Sequence, residues 1–343
     1  MNDPTSERKI QHIRIIENDR DTDRRKYYFD AVHLTHRALP EINLDEVDTS
    51  VTLLGKRLRF PLLISSMTGG EHDLIRSVNE NLARAAEATG VAMGVGSQRV
   101  MFTHPSARAS FTLREWAPNT LLFSNLGAVQ LNHGFTLEQC REAVDVVGAD
   151  ALYLHLNPLQ EAVQPEGDTR FAGLADRIAE VATGLDVPVA VKEVGAGISA
   201  EDARLLISAG IRYIDVAGAG GISWSRIEEH RNGEEQGAGL GIRFQDWGIP
   251  TPLALEQLAP FRDRVTLIAS GGVRSGIDMV KAVVLGASLC GLASPFLKPA
   301  MESADRVIEE IERLHREFRT AQFLLGARRV ADIFDRPELV LAR

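Results

Sequence analysis

Short apolar runs alternate along the chain with amphipathic stretches. The runs are "PLLISSMT" (61–68), "VAMGVG" (91–96), "LLFSNLG" (121–127), "ALYLHLN" (151–157), "PVAVKEVG" (188–195), "YIDVAGAG" (213–220), "VTLIASGG" (265–272) and "LCGLAS" (289–294). The first four recur at about 30 residues, the length of one βα unit. Such nearly continuous apolar strands imply a parallel sheet covered on both faces. Between them, "NENLARAAEATG" (79–90), "TLEQCREAVDVVGA" (136–149) and "SAEDARLLISAG" (199–210) read as helices that stop at glycine, the last with Ser199 as its N-cap. Eight units of this kind predict an α/β fold, a (β/α)8 TIM barrel. An open doubly wound sheet would carry G-x-G-x-x-G after its first strand, where this chain has "MTGGEHD". The expected layout is one domain: an N-terminal arm (1–58), the barrel (59–300) and a C-terminal helical region (301–343). The stretch 219–260, between strands six and seven, is a long insertion rich in glycine and charge, the kind of loop that usually carries function.

Composition narrows the class. With 343 residues, 44% of them hydrophobic, the chain can bury one large core. A net charge of −9 argues against a nucleic-acid partner. The longest uncharged run, "AVVLGASLCGLASPFL" (282–297), is shorter than the roughly 18–20 apolar residues of a membrane span. The N-terminus lacks an apolar signal region, and the two cysteines, Cys140 and Cys290, form no disulfide framework, so a cytoplasmic protein with reduced thiols is expected. The charged arm, "ENDRDTDRRKYY" included, reads by itself as a solvated segment.

In a barrel the chemistry gathers where the strands end. These ends offer Met67, Thr68, Gly69 and Gly70; Ser97, Gln98 and Arg99; Ser124, Asn125 and Gly127; His155, Asn157, Gln160 and Glu161. The later strands add Lys192 and Glu193, then Gly218, Gly220, Gly221 and Ser223, then Gly271, Gly272 and Arg274, and finally Ala293 and Ser294. Almost all are small, amide, hydroxyl or charged, above strands built of Val, Ile, Leu and Ala. "IASGGVRSG" and "GLASPF" fall on strands seven and eight, where barrels often bind a phosphate through backbone N–H groups and a helix N-terminus. A phosphate there, with Lys192 farther round the ring, suits FMN, because a lysine beside the flavin can stabilise charge on the reduced ring. On strand four, alternation puts Tyr153, His155 and Asn157 inside and Leu152, Leu154 and Leu156 against the helices. Pro158 ends the ladder, leaving Gln160 and Glu161 in the loop above. Glu161 could join a Mg²⁺ ion whose other ligands come from substrate phosphates and water.

The motifs "SMTGG", "GSQR", "SNLGA", "HLNPLQE", "VKEVGAGIS", "DVAGAGGISW", "GIPT" and "SGGV" occur in this order, with "ERKIQHI" before and "LLGAR" after them. Together they closely resemble the type 2, FMN-dependent isopentenyl-diphosphate delta-isomerases over about residues 7 to 330. The resemblance implies interconversion of isopentenyl and dimethylallyl diphosphate with FMN, NADPH as its reductant and Mg²⁺, without net redox change. It implies that Arg8, Lys9 and His12 bind the isoprenoid diphosphate substrate together with Ser97, Gln98 and Arg99. It places Met67, Thr68, Gly69, Ser97, Asn125, Lys192, Ser223, Gly271, Gly272, Val273, Ala293 and Ser294 at FMN. It makes Gln160 catalytic, with His155 and Asn157 in the same pocket, and Glu161 the metal ligand. It also implies a homotetramer or homo-octamer. One position departs from the family's pattern: Ile222 stands where a threonine usually meets the FMN phosphate, and Ser223 is the candidate to replace that hydroxyl. An FMN-dependent 2-hydroxy-acid oxidase would need a His–Arg pair at the end of strand six, where this chain has "DVAGAGGISW", and a non-catalytic phosphate-binding barrel would not need Gln160, Glu161 and the basic arm together.

Overall fold

The computed structural model describes residues 4–24, 26–232 and 239–341. Eight parallel strands close into a barrel in sequence order. They are Leu62–Ile64, Ala92–Gly94, Leu122–Gly127, Ala151–His155, Val189–Lys192, Tyr213–Asp215, Thr266–Ser270 and Ala287–Leu292. The eighth closes on the first with Cys290 opposite Leu62. All eight lie on the apolar runs, mostly shortened at their ends. Period-two alternation explains the two cores. Leu152 and Leu154 of the fourth strand join the layer between sheet and helices. Tyr153 faces inward with Phe123, Ala190, Ile268 and Leu289.

The expected helices are present as Asp73–Thr89, Leu137–Val147 and Ala200–Ser208. The first starts a turn and a half earlier than expected because His72, an unusual N-cap, accepts from the Leu74 amide. Ser199 caps the third by accepting from Asp202 N–H. The terminal helix Ala304–Leu324 buries Val307, Ile311, Leu314 and Phe318 along one stripe.

The arm differs from expectation. Pro4–Asn18 is a helix, and Val51–Leu53 with Lys56–Leu58 form a hairpin whose Leu53 and Leu58 join the inner barrel cluster. The insertion is not a bare loop either: it contains the helices Trp224–Asn232 and Leu240–Arg243. Arm and insertion hold each other. Asp19 accepts from Arg226 at 2.5 Å and lies 2.7 Å from His230 Nε2. Arg24 is buried, donating to the carbonyls of Gln245 at 2.6 Å and Gly195 at 2.7 Å. Asp23 pairs with Arg274, whose guanidinium lies 3.5 Å from the Tyr27 ring centroid. Among the described residues, no helix is long and apolar enough to cross a membrane.

Candidate active site

A cavity of about 220 Å³ opens at the carboxyl ends of the strands and is roofed by the arm and the insertion. Of the residues expected at a flavin, Met67, Thr68, Ser97, Asn125, Lys192, Gly271, Gly272, Val273, Ala293 and Ser294 line it. Gly69 and Ser223 are not on its wall. A Cβ on Gly69 would meet the Phe111 ring at 2.2 Å, so its role here is close packing. Ser223 is fully buried and donates to the Gln245 carbonyl at 2.9 Å. It therefore does not replace the hydroxyl missing at Ile222, which lines the cavity.

The glycines explain the phosphate corner. Gly271 and Gly272 both have positive φ, and a Cβ on Gly271 would lie 2.1 Å from the Gly218 carbonyl oxygen. Next to them the helix Ser294–Glu302 begins without a side-chain cap; Pro295 has no N–H and Phe296 donates to the Ala293 carbonyl, so the Ser294 amide is the first-turn donor to offer a ligand. The hydroxyls of Ser65 and Thr68 line the same space, buried and without hydrogen-bond partners. Buried hydroxyls without partners are costly and rare, so a polar ligand fits here. Ten expected flavin contacts on one wall, two orphan hydroxyls and this corner together suit FMN.

The fifth strand aims Lys192 at the cavity. It is buried, and its ammonium donates to the Glu193 carbonyl rather than to the Glu193 carboxylate. That carboxylate instead ties down the following turn, accepting from the amides of Val194 and Gly195 at 2.6 Å each and from those of Ala196 and Gly197.

On the fourth strand, His155 reaches the cavity as its parity predicts. Its Nδ1 lies 2.7 Å from Asn125 Oδ1, while Asn125 Nδ2 donates to Ser66 Oγ. The amide orientation makes Nδ1 the protonated nitrogen of a neutral ring. Burial and the Lys192 charge pull the His155 pKa down to about 3. Pro158 ends the strand but also begins a helix, Pro158–Val163, so Gln160 and Glu161 sit on a helical turn and not in a loop. Gln160 lines the cavity with both ends of its amide held: Nε2 donates to Glu228 Oε1 at 2.7 Å, and Oε1 accepts from Asn157 Nδ2 at 3.2 Å. Asn157 stands behind it, buried, and also donates to Glu161 Oε1 at 2.7 Å. Glu161 accepts further from Gln164 Nε2 at 2.8 Å and the Asp168 amide at 2.7 Å. Asn157 and Glu161 are thus off the cavity wall.

Among the expected diphosphate contacts, Lys9, His12 and Ser97 line the cavity. Arg8 lies 3.8 Å from Glu166, and Arg99 pairs with Asp168 at 2.9 Å. Gln98 is turned inward: it is fully buried, donates to the Ala143 carbonyl at 2.8 Å and accepts from the Asn125 amide at 2.9 Å. Its fixed side chain braces the second strand against the third and leaves nothing for a substrate.

Trp224 and Glu228, one helical turn apart on the insertion helix, are functional candidates that the strand-end reading missed. Trp224 lines the cavity and meets the His12 ring edge-on at 5.2 Å. Glu228 is fully buried, 3.2 Å from His12 Nε2 and ion-paired with Arg231. Burial pushes the Glu228 carboxyl up, but His12, Arg231 and Gln160 outweigh it and hold its pKa at about 2. Burial pulls the Lys9 pKa down to about 8 and the His12 pKa to about 4. The only signal in the sequence was the i, i+4 spacing after "GGIS".

The buried histidines make a stability prediction. Folded pKa values near 4 and 3 lie below the ordinary 6.5, so as pH falls the unfolded chain binds protons first. Stability from this source is complete above about pH 6.5 and is lost progressively toward pH 3. Melting temperatures should fall across that window, and less steeply with His12→Gln and His155→Asn together. Equal slopes would show that these histidines do not drive the loss.

The chain matches the family described as FMN-dependent dehydrogenase over residues 5–111 and 130–340. It is 53% identical to an isopentenyl-diphosphate delta-isomerase of Hydrogenovibrio crunogenus, covering 98% of each chain. It is 54% identical to the protein of that name from Paracoccus zeaxanthinifaciens, covering 97% of this chain and 96% of the relative. Among solved structures, a flavocytochrome b2 superposes with TM-score 0.70 at 17% identity over 96% of this chain and 82% of the other. A mandelate oxidase does so with TM-score 0.63 at 21% identity over 90% and 88%. At that identity these two speak for the fold.

Proposed function

This chain belongs to the FMN-dependent dehydrogenase family and, within it, to the isopentenyl-diphosphate delta-isomerases, and from that premise we propose how its cavity works. The protein interconverts isopentenyl and dimethylallyl diphosphate. What supports our reading of its site most is Gln160, held at both ends, on the wall of a cavity that also contains Lys192 and the Gly271–Gly272 corner. The alkene is a very weak base, and adding a proton makes a tertiary carbocation, so the site needs a strong acid and little water. FMN, reduced by NADPH, would supply that proton and take one back. Ser65, Thr68, Asn125 and Lys192 would hold the flavin, with the backbone of 271–273 and 293–294 around its phosphate. Trp224 would keep water from the alkene, and its face suits a passing cation.

Lys9 and His12 would bind the diphosphate from above, with Arg8 and Arg99 close behind. Among the described residues, no cluster of three or more acidic, histidine or cysteine side chains could hold a metal alone. A Mg²⁺ ion would arrive with the diphosphate, held by substrate oxygens and water, and Glu161 would join it only by giving up its bonds from Asn157, Gln164 and the Asp168 amide. Two buried free cysteines suit a reducing cytoplasmic setting. Assembly into a homotetramer or homo-octamer belongs to the same reading.

The test is anaerobic assay of both C5 diphosphates with FMN, NADPH and Mg²⁺, and with each omitted. Turnover that needs all three is expected; no turnover with FMN bound and reduced would sink the reading. A separate binding measurement concerns Ile222→Thr. One regained hydrogen bond is worth about 1 kcal/mol, so FMN should bind roughly five-fold tighter. An unchanged dissociation constant would show that the hydroxyl has no partner at this position.

A further inference from the structure

Behind Lys192 lies an ionisable side chain that the proposed reaction does not use. Asp215 ends the sixth strand and is fully buried. In the ladder it is the partner of Lys192, which is itself the partner of His155. Partners on adjacent strands point to the same face, so His155, Lys192 and Asp215 form one inward row. Beneath that row the barrel is apolar, with Phe123 and Tyr153 stacked at 4.6 Å among Ala190, Ile268 and Leu289.

Asp215 Oδ1 accepts from Ser270 Oγ at 2.6 Å and from the Ala217 amide at 3.2 Å. Its other oxygen, Oδ2, is buried without a close hydrogen-bond partner, as is the hydroxyl of Tyr153 below, whose pKa burial and the Asp215 carboxylate together hold well up. Lys192 and Ser270 both line the cavity, so Asp215 stands one side chain behind its floor. Burial raises its pKa overall, and the Lys192 charge is the largest influence opposing that rise. A carboxylate that filled space alone would be a poor choice in so dry a place, where an apolar side chain of similar size does better.

We propose that Asp215 is the counter-charge of Lys192 and, through that lysine, sets how strongly the cavity favours a negatively charged reduced flavin. The proposal rests on the flavin reading above. Two electrons with one proton leave one negative charge on the ring. A lysine without an opposing charge would stabilise that charge most, and a carboxylate on the lysine's far side weakens the effect. The result is a ring whose proton is neither too firmly held nor too easily lost, as an acid that must also act as base requires. Asp215 is a positioning residue: it touches neither flavin nor substrate.

The experiment measures the two-electron reduction potential of the FMN-loaded protein. Asp215→Asn keeps the shape and an acceptor for Ser270 but removes the charge. The reduced-to-oxidised ratio at a fixed poise should rise about tenfold, a shift of about 30 mV. In a Lys192→Gln background the same substitution should have little effect, because a buried Asp215 that has lost its cation keeps its proton and carries no charge to remove. A purely packing role would leave the potential unmoved in both backgrounds and overturns the proposal. A measurement on the unmutated holoprotein does not depend on the variant folding. With ¹³C-labelled aspartate, the redox-difference infrared spectrum should show a carboxylate band that shifts on flavin reduction, and its absence overturns the proposal too. A chain that takes up no FMN would sink the flavin reading with it, whereas a loaded chain with an unmoved potential sinks the role of Asp215 alone.

Discussion

Gln160→Asn should leave a folded, flavin-loaded protein that turns over about a hundredfold more slowly. Removing one methylene draws the amide back by more than 1 Å, and a displacement of that size at a reacting group costs on the order of 10²-fold. Both anchors stay in place: Glu228 accepts from Gln160 Nε2, and Asn157 donates to its Oε1. The shorter side chain must give up one of them or leave the cavity wall. The FMN contacts lie on other strands, so flavin content and its absorption spectrum should match the wild type. The measurement is kcat under anaerobic, reducing conditions; a loss below about threefold would show that Gln160 does not act at the reacting carbon.

Glu228→Ala should be the most destabilising single change at the site. Glu228 has no exposure, and it faces Arg231, itself 13% exposed. Breaking a buried ion pair costs about 3–5 kcal/mol, and because Arg231 keeps Glu166 at 2.7 Å the loss should fall at the low end of that range. Gln160 loses the acceptor that orients it, and the arm loses the carboxylate beside His12. Urea unfolding followed by fluorescence should show the loss in the midpoint. Glu228→Gln keeps an acceptor for Gln160 and should recover part of the activity. If both variants unfold at the wild-type midpoint, the network is decoration.

The barrel was legible because its strands carry a simple signal. Runs such as "ALYLHLN" alternate strictly, and parity sent Tyr153 and His155 inward. The layout of the mouth was legible only in part, since a polar residue at a strand end can turn toward a ligand or toward a neighbouring backbone. Gln98 and Ser223 do the second, and nothing in "GSQR" or "GGISW" distinguishes them from Ser97 or Asn125. Asn157 and Glu161 were placed with Gln160 correctly as neighbours, but the helical turn that begins at Pro158 puts them behind it. The arm and the insertion defeated pattern reading for another reason. Their helices are held by ion pairs between distant segments, Asp19 with Arg226 and Asp23 with Arg274, and a single segment read alone looks merely charged.

The Arg24 contacts set an order on biosynthesis. Its guanidinium ends on the Gln245 carbonyl, 221 residues farther along the chain. At about 5–20 residues per second, the arm leaves the ribosome tens of seconds before that partner is made. The earliest segment to emerge is therefore among the last to find its place, and six strands are made before the roof over their carboxyl ends exists. The corner at 271–273 and 293–294 is made later still, so the segments that roof the cavity are synthesised before the wall they cover is complete.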